Sequence, residues 1–338
     1  MRPLLICSLE PAAGKTAFCV GLARRYWRDG LKVGYLKAVA PGKTADGDAE
    51  FVKAVLDLPE PAAVLAPVAL DEGEPAEMVR RLRIALATVA KNSDLVLVEG
   101  GNTLAEGAHA GLSAPEVARL LSARVLLVLR YRVDLLDGVV MAARDFGADL
   151  AGVVINAVPP SQLAKARDSL RPALARSGVR VLGIVPQDRV LLGVSVRDLA
   201  ERLGGEVICC SDRLDELVER LMIGAMSVDG ALVYFRKHAN KAVITGGDRP
   251  DVQMAALETP TRCLILTGGF PVDPLVLVKA RDTGVPIVVT EQDTLGAIED
   301  IHDAFGASRF HQRAKIGRLE ALLADYVDAA GLRVQLEA

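Results

Sequence analysis

Leu4-Leu5-Ile6-Cys7-Ser8-Leu9-Glu10-Pro11-Ala12-Ala13-Gly14-Lys15-Thr16 is the stretch on which the reading of this chain turns. A short apolar run stops at a polar turn ending in Gly-Lys-Thr, and the helical spacing Phe18, Leu22, Ala23, Tyr26 follows it. That order is strand, loop, helix, the setting a phosphate-binding loop requires. Backbone N–H groups of such a loop, with a helix N-terminus behind them, form a cradle for anions. Lys15 would reach the terminal phosphates and the Thr16 hydroxyl would bind a magnesium ion. The usual spacing places a glycine at Leu9; here the loop reads one residue longer, with Ser8 in that first place. The plainer alternative is a strand–helix turn carrying a surface lysine.

Working outward, short apolar runs alternate with longer amphipathic ones. Strands are expected at Leu4–Ser8, Val33–Ala38, Leu95–Val98, Val125–Leu129, Gly152–Ile155 and Val181–Val185. Helical patterns fall between them, over Asp48–Leu56, Pro75–Ala90, Ala114–Leu121, Leu135–Phe146 and Gln162–Ser177. This alternation predicts an α/β fold with a mostly parallel sheet flanked by helices. Ligands of such sheets gather at the carboxyl ends of the strands. Beyond Gly204-Gly205 the pattern restarts: Asp212–Leu221 reads as a helix, then Ala242–Thr245 and Leu264–Thr267 each run into Gly-Gly, and Val285–Thr290 follows. A second, smaller α/β domain over 209–338 is expected behind a first over 1–208, with Ile316–Ala330 as a closing helix.

The composition narrows the function classes. Of 338 residues 51% are hydrophobic but only 4% aromatic, so the core is built from Ala, Val and Leu, as buried parallel strands require. A net charge of −3 gives no footprint for nucleic acid. No apolar run approaches the roughly 18 residues of a membrane helix, and the opening run is cut by Glu10, so neither membrane nor export is expected and the cytoplasm is. Five cysteines without Cys-x-x-Cys spacing argue against structural disulfides and zinc.

Three further residues stand at strand ends or helix starts. Glu99 closes Leu95–Val98 and precedes Gly100-Gly101, where a carboxylate can hold magnesium or order its water shell; otherwise it is an acidic residue opening a loop. Lys37 closes Tyr35-Leu36-Lys37 at the same edge, either facing a phosphate or substrate or standing solvated. Asp48 heads a helix, where it can cap the N-terminus or bind a metal.

Ser8–Thr16, Tyr35–Val39, Asp48, Val98-Glu99-Gly100-Gly101, Val154-Ile155-Asn156 and Leu182–Pro186 together resemble dethiobiotin synthetase and its relatives in order and spacing. The resemblance implies a P-loop NTPase-type domain that binds ATP and Mg2+. It places Ala13, Gly14, Lys15, Thr16 and Ala17 at the phosphates and Thr16, Asp48 and Glu99 at the metal. It makes Lys15 and Lys37 the catalytic candidates, and sets Asn156 with Val185 and Pro186 of the Gly183–Pro186 turn against adenine. Gly224-Ala225-Met226, Ala242–Asp251 and Leu264–Gly269 resemble a DRTGG domain, and the pairing is similar to the N-terminal portion of long bacterial phosphotransacetylases. Thr245, Gly246, Gly247, Asp248 and Arg249 would then form the loop that meets an unidentified small ligand or protein partner. A homodimer or higher homo-oligomer is expected. Nothing after the second domain is left for a phosphotransacetylase catalytic domain, so the chain is expected not to be a complete enzyme of that kind.

Glu10 stands where partition-type ATPases carry their signature lysine, and a glutamate there cannot stabilise a phosphate across a dimer. Two functions are therefore expected to compete. One is an ATP-binding regulatory protein whose nucleotide state is coupled to the DRTGG domain. The other is an ATP-dependent ligase of the dethiobiotin synthetase type, acting on a carboxylate or carbamate.

Overall fold

The computed structural model describes residues 2–40, 47–71, 73–306 and 310–337. Its first unit is built on six strands, β1 (Leu4–Cys7), β2 (Val33–Lys37), β3 (Leu95–Glu99), β4 (Arg124–Arg130), β5 (Leu150–Val158) and β6 (Val181–Pro186). They pair in the order β2-β3-β1-β4-β5-β6, and every pairing is parallel. Continuous apolar runs such as Leu95–Val98 are buried throughout because helices cover both faces of a parallel sheet. The order reverses direction at β1, which puts the loop after it at a crevice of the carboxyl edge.

Helix α1 (Lys15–Arg28) follows that loop and buries Phe18, Leu22, Ala23 and Tyr26, the stripe expected from the sequence. Helix α2 (Gly47–Leu56) buries Ala49, Val52 and Leu56.

The compact units differ from the expected division at 208/209. One comprises Met1–Gln187 together with Lys315–Ala338; the other is Asp188–Ala314. The closing segment belongs to the first unit because of what it packs on. Gly21 of α1 leaves room for Leu323, and a Cβ there would collide with that side chain. Glu320 accepts hydrogen bonds from both Arg24 and Arg28. The Asp328 N–H donates to Leu182 O at 2.8 Å, and the Tyr26 hydroxyl to Ala329 O at 3.0 Å. The single helix expected over Ile316–Ala330 is two, Ile316–Tyr326 and Ala329–Glu337, parted where Val327 bridges to Gly183 of β6.

The second unit holds β7 (Val194–Ser195), β8 (Glu206–Cys209), β9 (Leu217–Val218), β10 (Arg220–Ile223), β11 (Lys241–Gly246), β12 (Thr261–Thr267) and β13 (Ile287–Thr290). Five strands order as β10-β11-β12-β13-β8, parallel except for the edge strand β8, while β7 pairs antiparallel with β9. Two apolar cores lie on its faces, one around Val243, Leu264 and Phe235, the other around Ile244, Ile265 and Leu199. The helix expected over Asp212–Leu221 is absent: that stretch supplies one 3-10 turn, β9 and the start of β10.

Candidate nucleotide site

Parallel pairing brings the carboxyl ends of β1, β2 and β3 level. Lys37 is in register with Glu99, and Glu99 with Ile6. The loop after β1 turns through two left-handed residues, Ala12 (φ 54°) and Gly14 (φ 103°), before α1 begins at Lys15. Gly14 suits that conformation and also the space, since a Cβ there would lie 2.7 Å from Asn156 Nδ2.

Within this pocket of charges Lys15, Lys37 and Glu99 are all buried. The Lys15 ammonium donates to Ser8 Oγ at 2.9 Å, and the Ser8 hydroxyl donates to Glu10 O at 2.7 Å. Ser8, the departure from the usual loop, therefore gives the buried lysine an acceptor. Thr16 Oγ1 donates to Glu99 Oε1 and Tyr35 OH to Glu99 Oε2, each at 2.8 Å. Lys37 Nζ pairs with Asp48 Oδ2 at 2.6 Å.

Burial dominates the electrostatics. It raises the Glu99 pKa, against the opposing pull of Lys37, and lowers that of Lys15, against the opposing pull of Glu99. Burial also pushes Cys7 up to about 12 and raises Cys19, so both thiols beside the site stay protonated and unreactive. A divalent cation fits this donor set. Magnesium is commonly held by one or two carboxylates with phosphate oxygens and water, and here the Thr16 hydroxyl meets a carboxylate whose charge burial disfavours.

The sequence-predicted residues do not all converge. Thr16 and Glu99 are hydrogen-bonded, Lys15 is bonded to Ser8 beside them, and Lys37 and Asp48 form an ion pair whose charges act on Glu99. Asn156 Nδ2 donates to Ala13 O at 2.9 Å, so this side chain holds the P-loop itself. Val185 and Pro186 stand one strand further out, at the end of β6, with the Val185 side chain buried. Tyr35 is the functional neighbour that sequence reasoning missed. Its signal was period-two alternation, which puts Tyr35 on the same strand face as Lys37.

In the second unit the Thr245–Arg249 loop is bonded to the elements around it. The buried Thr245 hydroxyl donates to Gly224 O at 3.0 Å, and Gly247 N–H donates to Thr267 O at 3.0 Å. The buried Gln253 amide donates to both Gly246 O and Gly247 O. Arg249 grips Asp251, not Asp248, with Nε–Oδ1 and Nη2–Oδ2 both at 3.1 Å. Among the described residues no group of three or more His, Cys, Asp or Glu side chains could hold a metal ion, and no helix is long and apolar enough to cross a membrane.

Comparison with known proteins divides the chain in a similar way. A family model described as an AAA domain matches residues 2–195, and a DRTGG domain model matches residues 198–304. Phosphate acetyltransferase from Pseudomonas aeruginosa is 26% identical over 98% of this chain and 52% of its own length. That from Deinococcus radiodurans is 30% identical over 80% of this chain and 41% of its own. The ATP-dependent dethiobiotin synthetase of a Parafrankia strain is 30% identical over 57% of this chain and 87% of its own. The chain thus spans about half the length, or less, of the acetyltransferases it matches.

Proposed function

The chain belongs to the AAA domain family of P-loop proteins and carries a DRTGG domain behind that module, and from this we propose that it binds Mg-ATP and relays its nucleotide state to the DRTGG domain. The observation that carries the reading is the buried pair of charges Lys15 and Glu99, with the Thr16 hydroxyl bonded to Glu99, at the carboxyl edge of a parallel sheet. Nothing in a purely structural core calls for a lysine and a carboxylate buried side by side, because each costs free energy to desolvate. A triphosphate would repay both.

In this reading the N–H groups of Ala13 to Ala17 meet the phosphates, and Lys15 turns from Ser8 to a phosphate oxygen. Thr16, Asp48 and Glu99 would hold the magnesium ion, which when bound neutralises phosphate charge. Asn156 fixes the loop through Ala13 O and keeps its second N–H and its Oδ1 for a base edge, with the Val185–Pro186 backbone as the opposite wall. The Thr245–Arg249 loop is the working surface toward the second domain's ligand or partner.

A second reading, an ATP-dependent ligase acting on a carboxylate or carbamate, draws on Lys37. It is a second buried cation at the same edge, beyond what nucleotide binding alone needs, and the dethiobiotin synthetase relative is similar over 57% of this chain. Calorimetric titration with ATP, with and without magnesium, tests the first reading, which requires saturable magnesium-dependent binding. Phosphate release stimulated by a small carboxylate would favour the second.

A further inference from the structure

At the edge of the first sheet opposite the P-loop lies a cavity of about 390 Å3. Its floor is apolar, formed by Leu150 and Ala151 at the start of β5 with Val140 and Ala143 of the helix Leu135–Phe146. Its rim carries Arg144, Arg180 and Gln335, and no carboxylate lines it. Such a volume is at the small end of the range for organic-ligand sites, about 300–1,000 Å3.

The charges of this rim are under-compensated. The Arg144 side chain has no hydrogen-bond or ion-pair partner among the described residues. Arg180 makes one contact, Nη2 to Asp328 Oδ2 at 3.3 Å, on a partly exposed pair. Asp149, next to the floor residue Leu150, is already bound to Arg2 at 2.7 Å. Gln335 accepts from Arg124 Nη2 through Oε1 at 2.9 Å, which leaves its amide N–H groups as donors. Behind it Arg124 Nε is enclosed without a partner. Two guanidinium groups, Arg144 and Arg180, thus line a partly apolar hollow, with a third, Arg124, behind Gln335.

We propose that this cavity binds a small organic anion, a carboxylate or phosphate monoester carrying a short apolar group, at a site separate from the P-loop. The anion would lie between Arg144 and Arg180, where a planar fork can meet two oxygens at once. The apolar portion would cover Leu150, Ala151 and Ala143. The inference stands on this cavity alone and does not depend on nucleotide binding.

The test is calorimetric titration of the full chain, without nucleotide, using benzoate, phenyl phosphate and the neutral benzyl alcohol. At least one anion should bind saturably and benzyl alcohol should not; which anion binds names the charged group. Arg144→Gln and Arg180→Gln should each weaken binding by about tenfold, the scale of one charge-assisted hydrogen bond. Ala143→Phe, which fills the hollow, should abolish it, while Lys15→Ala should leave it unchanged. The inference is overturned if no anion saturates by roughly 10 mM, a free energy no better than weak surface contact. It is equally overturned if benzyl alcohol binds as well, if the arginine variants bind undiminished, or if Lys15→Ala removes the binding. Titrating the arginine variants with Mg-ATP reads the nucleotide site independently.

Discussion

Thr16 donates its hydroxyl to Glu99 at 2.8 Å, tying the first turn of α1 to the end of β3 across the base of the P-loop. Because burial raises the Glu99 pKa, the folded chain holds a proton on this carboxyl at pH values where the unfolded chain has lost it. The native state then binds more protons, so the Glu99 contribution to stability grows as pH falls and is unfavourable at neutral and alkaline pH. Glu99→Gln should therefore raise the melting temperature of the nucleotide-free protein at pH 8 more than at pH 5, while removing magnesium-dependent ATP binding. Melting curves across pH check the first part. A variant with the wild-type pH profile would show that Glu99 does not govern it.

Lys15→Ala should weaken Mg-ATP binding by more than about tenfold, since hydrogen bonds to charged groups contribute roughly 1.5–3 kcal/mol. Folding should persist, because the variant also relieves the burial of a charge. Unchanged affinity on a folded variant would remove the lysine from the phosphate site.

Asn156→Ala should lower affinity for every nucleotide by a few fold through loss of the Ala13 tether, about 0.5–1.5 kcal/mol for one neutral hydrogen bond. It should in addition narrow a preference for ATP over CTP and UTP. Equal losses for all three would make the side chain a loop tether and nothing more.

Arg249→Ala should keep the melting temperature within a few degrees, because its contact with Asp251 is exposed to solvent on both sides. The coupling of ATP to the second domain's ligand or partner should vanish. Gln253→Leu is the contrasting variant: it unbonds two carbonyls of the same loop and should destabilise the unit. Loss of stability in both variants would make the loop structural.

Gly21→Val should destabilise the first unit by about 1–3 kcal/mol, as overpacking does, through collision with Leu319 and Leu323. Chemical denaturation reads this directly.

The first unit was legible because its strands are continuous apolar runs and its P-loop sits between one of them and an amphipathic helix. The site was legible where a residue ends a strand, as Lys37 and Glu99 do. It was not legible where geometry does the work: Tyr35 looks like core, and Asn156 holds the loop. Asp212–Leu221 misleads because Leu214, Leu217, Val218 and Leu221 repeat at helical spacing. The chain spends them otherwise, since Val218 pairs with Val194 and Leu221 with Ala242. Strands of two and four residues are too short for period-two alternation to overrule that spacing. The return of the C-terminal helices to α1 rests on long-range packing that local pattern does not encode.

That return has a consequence for how the molecule is made. Residues up to Gln187 emerge from the ribosome with one flank of α1 and the Gly183 edge of β6 uncovered, and the segment that covers them is synthesised only after the inserted unit. At typical elongation rates the first unit waits on the order of ten seconds for its own lid, while the continuous stretch Asp188–Ala314 completes itself in between. A nascent chain stalled before Lys315 would thus carry a finished inserted unit and an unfinished host, and a nick within the insert would leave the host as two fragments held only by non-covalent contacts.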